Sequence, residues 1–453
     1  MRKVRVPSKA AAPFEFRGSN MFVLPDFIFL PMKWLTLFLV TIVFANLIYF
    51  TTLSIFGLKK PKRDYKIMPD QKKFVIVIPA HNEEAVIGAT IQSLIDQDYD
   101  YRLFDIVVIA DNCTDNTESI AASYSKVILF KNSSQKDEPR GKPHAIAKYV
   151  QTNHWRKYDY VVFIDADNIV NSSYLKEMNS QSIAHPNLTV IQGYLGMKNV
   201  RSSFTASGYA AVYFITNRAV QAANYFLGWN AAIGGTGFML DTGYLAEHGW
   251  NPRSYTEDFE LQVELSIEGK QSGWNHFAIV YDEKPDSLLT SHRQRTRWAQ
   301  GHWYVAFSTT KRQLISLFKS KNITELLSKI ETIFYSYSMV RPVAILIILL
   351  LSVIDKRLFD YLPNLFSVLI FWASMEFFNF LIIPTIYFLQ EAEEYFRDER
   401  TFWKKVLFFI RLVFAFVYNS LTYMVAQIVG FFTWFKPQNN WNKTEHKAVF
   451  DRK

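Results

Sequence analysis

Two carboxylates stand two residues apart in Phe163-Ile164-Asp165-Ala166-Asp167-Asn168, at the end of a short apolar run. In a strand, residues two apart point the same way, so Asp165 and Asp167 would both face one crevice. A pair of hard oxygen ligands that leaves most of a coordination sphere open suits Mg2+ or Mn2+ bridging a diphosphate. An acidic turn that only closes the strand is the plain alternative. A second acidic turn, Ala110-Asp111-Asn112-Cys113-Thr114-Asp115, ends another apolar run. Asp111 can accept hydrogen bonds from a uracil or ribose there, whereas Thr114 or Asp115 is placed to cap the next helix. Cys113 has no basic partner in sight and reads as a packing residue rather than a nucleophile.

Three further groups carry polar chemistry at element boundaries. Pro79-Ala80-His81-Asn82-Glu83-Glu84 closes a strand and opens a helix, which would aim N–H groups and the helix dipole at an anion near Pro79, His81 and Glu83. Arg140-Gly141-Lys142-Pro143-His144 puts Lys142 at another helix start, where a diphosphate or carbonyl would sit; a surface charge is the alternative. Ser254-Tyr255-Thr256-Glu257-Asp258 begins a helix with Ser254 or Thr256 as its cap and acids in its first turn, an ordinary arrangement for the dipole. If that turn lies in the crevice, Glu257 or Asp258 becomes a base for an acceptor hydroxyl. Finally, Gln294-Arg295-Thr296-Arg297-Trp298 on a helix sets Gln294, Arg297 and Trp298 on one face. A guanidinium suits diphosphate oxygens and a flat indole suits stacking under a sugar ring.

The elements that must position these groups follow from the apolar runs. Lys73–Pro79, Phe104–Ala110, Lys126–Phe130, Tyr160–Ile164 and Leu188–Gln192 read as buried strands, with helical patterns such as Glu84–Gln97 and Lys142–Gln151 between them. That alternation predicts an α/β fold, a doubly wound and mostly parallel sheet with ligands beyond the carboxyl ends of its strands.

Around this unit the sequence is built for a membrane. Trp34–Leu58 is free of charge and long enough to span a bilayer, and Lys59, Lys60, Lys62 and Arg63 follow it, so it reads as a retained anchor. Met21–Met32, with Pro25, Asp26 and Pro31, reads as an interfacial entry helix. Ile330–Ile354 and Leu365–Leu389 read as a hairpin of spans. Trp403–Phe435 has charged sequence on both sides, which predicts an interfacial helix plus a re-entrant or kinked piece. The net charge of +9 is concentrated beside these segments, which favours a cytoplasmic leaflet and no nucleic acid. With a single cysteine the chain needs no oxidising compartment. The expected organisation is an N-terminal segment and anchor over 1–60, a cytosolic catalytic domain over 70–310, interfacial and transmembrane helices over 311–435 and a basic tail over 436–453, all at the plasma membrane.

Asp111, Asp165-Ala166-Asp167, Thr256-Glu257-Asp258 and Gln294-Arg295-Thr296-Arg297-Trp298, in this order and followed by apolar helices, resemble the processive family 2 glycosyltransferases, such as cellulose, hyaluronan and poly-N-acetylglucosamine synthases. The resemblance implies a GT-A-like fold embedded in an α-helical membrane domain. It implies that Asp111 contacts uridine, that Asp165 and Asp167 handle a UDP-sugar, UDP-glucose or UDP-N-acetylglucosamine, and that Asp167 holds its Mg2+ or Mn2+. Asp258 would be the general base beside Glu257, Gln294 and Arg297 would meet the diphosphate, and Trp298 with Gly235 and Thr236 would lie on the acceptor side. The implied reaction is inverting addition of a hexose to a nascent β-linked polysaccharide that exits through the protein's own helices. Single transfer to a membrane lipid, or an inactive sugar-nucleotide-binding subunit, is the alternative. Ala110 stands where many relatives carry a further Asp. Trp441 and Thr444 are faintly similar to a gating loop, without its closing Lys.

Overall fold

The computed structural model describes residues 24–135, 138–355, 357–360, 365–391 and 401–437. Its centre is one sheet of β1 (Phe74–Ala80), β2 (Phe104–Asp111), β3 (Val127–Asn132), β4 (Tyr160–Phe163), β5 (Ile169–Val170), β6 (Leu188–Met197), β7 (Phe238–Asp241) and β8 (Gln271–Asp282), in the order β3-β2-β1-β4-β7-β6-β8-β5. The pairs β1–β2, β1–β4, β2–β3 and β6–β8 are parallel, whereas β4–β7, β6–β7 and β5–β8 are antiparallel. The sheet is therefore mixed, which corrects the expected mostly parallel one. The reason is β7, a four-residue strand that returns antiparallel between β4 and β6.

Before the sheet runs α1 (Asp26–Phe56), and α2 (Ile87–Ile95), α3 (Thr117–Ala122), α4 (Lys142–Val150) and α5 (Tyr174–Ala184) connect its first strands. Further on come α6 (Phe204–Thr216), α7 (Ala223–Phe226), α8 (Thr242–His248) and α9 (Glu257–Glu268). Strand alternation sorts these helices between two faces. Phe74, Ile76 and Ile78 of β1 pack with Ile87 and Ile91 of α2 and Tyr174 and Met178 of α5. Val75 and Val77 pack on the other side with Ile146 of α4, Leu245 of α8 and Leu265 of α9. Burying both faces sandwiches the sheet between two apolar layers and leaves its strand ends free to form a site.

The rest is helical: α10 (Leu288–Leu317), α11 (Ile323–Ser336), α12 (Val340–Ile354), α13 (Arg357–Asp360), α14 (Leu365–Phe377), α15 (Ile383–Gln390) and α16 (Phe402–Thr433). By length and apolarity Asp26–Phe56, Ile370–Gln390 and Phe402–Thr433 can each cross a bilayer, and α11 with α12 forms a further pair bent by 52°. Three expectations change. Ile330–Ile354 is not one continuous span: it breaks between Ser336 and Val340, where Pro342 has no N–H to carry the helical ladder across. The Met21–Met32 region is not a separate entry helix where it is described: Asp26 to Phe56 is one helix that continues through Pro31. Pro31 is at the sixth position, close enough to the first turn to displace little of the hydrogen-bond ladder. Nor is Trp403–Phe435 broken. α16 runs unbroken, because its inner face is packed from Phe408 onward, Phe408, Leu412 and Phe416 against α6 and Gly430 against Ala299 of α10. Residues 436–437 are described, whereas Trp441 and Thr444 lie outside the described residues.

Candidate active site

The ends of β1 and β2 lie side by side, Ala80 opposite Ala110. Beyond them the His81 Nδ1 is 2.6 Å from the Asp111 carbonyl oxygen. Asp111 is 5% exposed and accepts hydrogen bonds from the side-chain amides of Asn112 and Asn132, each at 2.7 Å. The expected anion-binding helix start is corrected here. α2 begins only at Ile87, and the N–H groups of Glu83 and Glu84 already donate to Thr117 Oγ1 and Asp115 Oδ2. Pro79, His81 and Glu83 still line the crevice through their side chains. Asp115 also accepts from the Thr117 N–H at 3.0 Å, but the N-cap of α3 is Asn116, whose side chain makes no cap, so the expected cap at this helix is not formed.

β4 ends at Phe163, so Asp165 and Asp167 do not share a strand face; a turn closed by the Asn168 N–H on the Asp165 carbonyl brings both to the crevice instead. That turn is pinned by Thr236, whose hydroxyl accepts from the Asp165 N–H at 3.0 Å and donates to Asn168 Oδ1 at 2.6 Å. Thr236 is there because Phe163 of β4 pairs with Phe238 of β7, which lays Gly234–Gly237 across the strand end. At φ +78° Gly235 occupies a conformation that side chains rarely adopt, and a Cβ there would meet Asp258 Oδ2 at 3.1 Å.

The charged centre is Lys142. Its ammonium donates to Asp165 Oδ1 and to the Gly235 carbonyl, both at 2.6 Å, and lies 3.9 Å from Glu257 Oε1. Burial disfavours that cation, but Asp165, Glu257 and Asp258 outweigh it and hold the Lys142 pKa above the ordinary lysine value. Glu257 and Asp258 open α9, where Asp258 Oδ1 accepts from the Phe259 N–H at 2.8 Å. Thr256 makes no side-chain cap, and Ser254 bonds the Thr256 N–H instead, so the expected cap at this helix is not formed. Burial pushes Glu257 up to about 7, against the pull of Lys142, with Asp258 adding to the rise. Burial likewise raises Asp258, opposed by the Phe259 N–H and by Lys142. Arg297 comes in from α10; burial lowers its pKa and the Glu257 charge opposes that.

All these groups line one cavity of about 360 Å3, joined by Gln294 and Trp298 of α10. The cavity thus gathers Pro79, His81, Glu83, Asp111, Lys142, Asp165, Asp167, Gly235, Thr236, Glu257, Asp258, Gln294, Arg297 and Trp298 from strand ends, a glycine-rich turn and two helices. Its far wall contains residues that sequence reasoning missed: Asp282, Lys284, Tyr213, His302 and Tyr423. The first two had a readable signal, in that Asp282-Glu283-Lys284 sets three charges directly after an apolar strand. Tyr213 and Tyr423 had none, since each sits in an otherwise apolar helix pattern.

A divalent cation fits this donor set only as a partner of substrate oxygens. Among the described residues no three His, Cys, Asp or Glu side chains come together as a cage. Asp167 and Asp165 supply hard oxygens at the cavity wall, and phosphate oxygens would complete the sphere.

The description "Glycosyltransferase like family 2" fits residues 69–301 of the chain. A probable glycosyltransferase, YdaM, of Bacillus subtilis is 25% identical over 404 residues, which is 83% of this chain and 88% of that protein. A poly-beta-1,6-N-acetyl-D-glucosamine synthase of Staphylococcus epidermidis is 23% identical over 324 residues, 70% of this chain and 75% of that one. In fold, the chain is similar to a mannosyltransferase of Pyrobaculum calidifontis solved with GDP-Man and Mn2+, with a TM-score of 0.54 at 17% identity over 81% of this chain and all of that one.

Proposed function

Because the chain belongs to glycosyltransferase family 2, we propose that it adds a hexose from a UDP-sugar to the end of a growing β-linked polysaccharide at a membrane and exports the product through its own helices. The observation that carries this reading is the single cavity in which buried acids, Lys142, Arg297 and the Trp298 indole converge. Of the two donors, UDP-N-acetylglucosamine is favoured over UDP-glucose by the likeness to the poly-beta-1,6-N-acetyl-D-glucosamine synthase.

In this reading Asp111 receives the uridine, while Arg297 and Gln294 hold the diphosphate. Trp298 supports the acceptor's terminal sugar, with Gly235 and Thr236 beside it. The acceptor hydroxyl attacks the anomeric carbon from the side opposite the nucleotide: the new C–O bond forms, the bond to the diphosphate oxygen breaks, and UDP departs with the electron pair. Asp258 takes the hydroxyl proton, and its raised pKa makes it a stronger base than an exposed aspartate. Arg297 faces the charge that develops on the leaving group. Asp167, with Asp165, would hold Mg2+ or Mn2+, which when bound supplies further positive charge to the diphosphate.

The test is product analysis with the full chain in detergent or nanodiscs, Mn2+ or Mg2+, and each UDP-sugar in turn. A high-mass, glycosidase-sensitive product from UDP-N-acetylglucosamine is expected, and a glycolipid would overturn the polymerase reading. Asp258→Asn should slow UDP release at least 10²–10⁴-fold, the range typical of a lost general base. Release at the parent rate would remove Asp258 from this role.

A further inference from the structure

We infer that Lys284 is a positioning residue of the acceptor subsite, its ammonium lying over the Trp298 indole and fixing the plane on which the acceptor sugar rests. The inference builds on the reading of Trp298 given above.

Lys284 is 7% exposed, yet it lines the cavity. Its ammonium is ion-paired with Asp282 and stands 5.1 Å from the Tyr213 ring centre and 5.4 Å from that of Trp298. A desolvated cation over an indole face is held there by the ring quadrupole. The Tyr209 ring stands perpendicular to the same indole, at 88° with ring centres 6.4 Å apart, and the Tyr209 hydroxyl donates to Gln294 Oε1 at 3.2 Å. Trp298 is thus held by an ammonium and a perpendicular ring, and the residue that supplies this ring is tied to a donor-side candidate.

The anchoring continues toward the donor. Asp282 Oδ1 accepts from the Asn168 amide at 3.1 Å, and the same amide donates to Asp167 Oδ1 at 3.1 Å. Asn168 is fully buried, and its oxygen accepts the Thr236 hydroxyl that pins the Asp165 turn. One amide therefore sets the spacing between the acid on the donor side and the acid that fixes Lys284. Such a link lets the acceptor plane and the diphosphate acids keep one geometry, to which in-line transfer is sensitive at the scale of about 1 Å.

The test compares acceptor and donor kinetics of the full chain in nanodiscs, using UDP-N-acetylglucosamine and a short β-1,6-linked N-acetylglucosamine oligosaccharide. Lys284→Met should raise the acceptor KM about tenfold, in line with loss of a desolvated cation–π contact, while the donor KM stays within about twofold. Lys284→Arg, which keeps a cation able to lie on an indole, should restore most of the acceptor KM. Lys284→Met leaves Asp282 buried without its cation, so the double variant Lys284→Met/Asp282→Asn, which removes both charges, is measured beside it. The double variant should show the same split. An unchanged acceptor KM in the double variant, or an equal loss on donor and acceptor sides, overturns the inference. If Trp298→Ala raises the acceptor KM while both Lys284 variants do not, Lys284 falls and the acceptor reading stands. No transfer to the oligosaccharide by the parent protein overturns both.

Discussion

Lys142 stands beside the two acids of the first turn of α9, which makes it the residue with the most readable pH consequence. Burial raises both Glu257 and Asp258, and the Lys142 ammonium pulls both back down. A base acts only when ionised, so transfer fails on the acid side as this pair takes up a proton. In Lys142→Met the opposing cation is gone, both acids rise further, and the acid limb of the kcat profile moves to higher pH. Transfer at saturating donor should then fall roughly tenfold more at about pH 6 than at about pH 8. A uniform loss across that range would assign Lys142 to donor binding alone. At this scale much was legible in the sequence, because strand ends and helix first turns advertise their polar residues. Asp111, Asp165, Asp167, Glu257, Asp258 and Arg297 were all singled out by type and place, and all line the cavity. Lys284 was not, since its meaning depends on Trp298 and Asp282 arriving from other elements.

Between elements, the contact that matters most is that of α10 with α16. Arg295, beside Gln294 on α10, is buried and donates to the Asn419 carbonyl at 3.2 Å and to the Asn419 side chain. Gln300 donates to the Thr433 hydroxyl at 2.8 Å. Between these two contacts Gly430 lets the helices close up: a Cβ there would stand 2.5 Å from the Ala299 Cβ and 2.9 Å from the Ala299 carbonyl carbon. Backbone cannot yield as a side chain tip does, so Gly430→Ala must push α10 and with it Arg297 and Trp298. We expect roughly ten- to hundredfold lower transfer, a loss typical of about 1 Å of misplacement. Gly88→Ala in α2 is the control, since its Cβ meets nothing closer than 3.4 Å, and helix propensity favours it. Thermal unfolding measured beside transfer separates displacement from collapse; equal activity in the two variants would deny that this helix contact sets the site. Elements of this kind were harder to read than residues. β8 is long, but its ladder with β6 slips at Gly193/Tyr194, so no clean period marks it. β7 takes its place only from partners on both sides, β4 and β6, which are distant in sequence. Local pattern predicts strands; pairing over such distances decides whether they run parallel.

On the scale of the whole molecule, α16 poses a question that length alone does not answer. It is apolar and long enough to cross a bilayer. Yet its first half and its end both rest on the catalytic unit: Arg411 donates to the Arg201 carbonyl just before α6, and Thr433 meets Gln300 of α10. Outward it shows one stripe, Trp403, Leu407, Ile410, Phe414, Leu421, Val425 and Phe432, all exposed and spaced at helical period. We propose that this helix, tied to the catalytic unit and apolar outward, lies in the bilayer surface rather than crossing it. That geometry also answers the charged sequence on both sides of it. By contrast α12 and α15 carry the chain away from the catalytic unit and back, since Gln390 and Glu391 return to Arg218 beside Gly57 at the end of α1. Cysteine labelling decides the matter. In a Cys113→Ser background, Trp403→Cys and Phe435→Cys should react with a membrane-impermeant maleimide from the same side as Arg102→Cys of the catalytic unit, and Val353→Cys at the far end of α12 from the opposite side. Labelling of Trp403→Cys and Phe435→Cys from opposite sides would make α16 a span. The basic tail that follows would then face away from the catalytic unit, and a gating role for Thr444 would be lost with it.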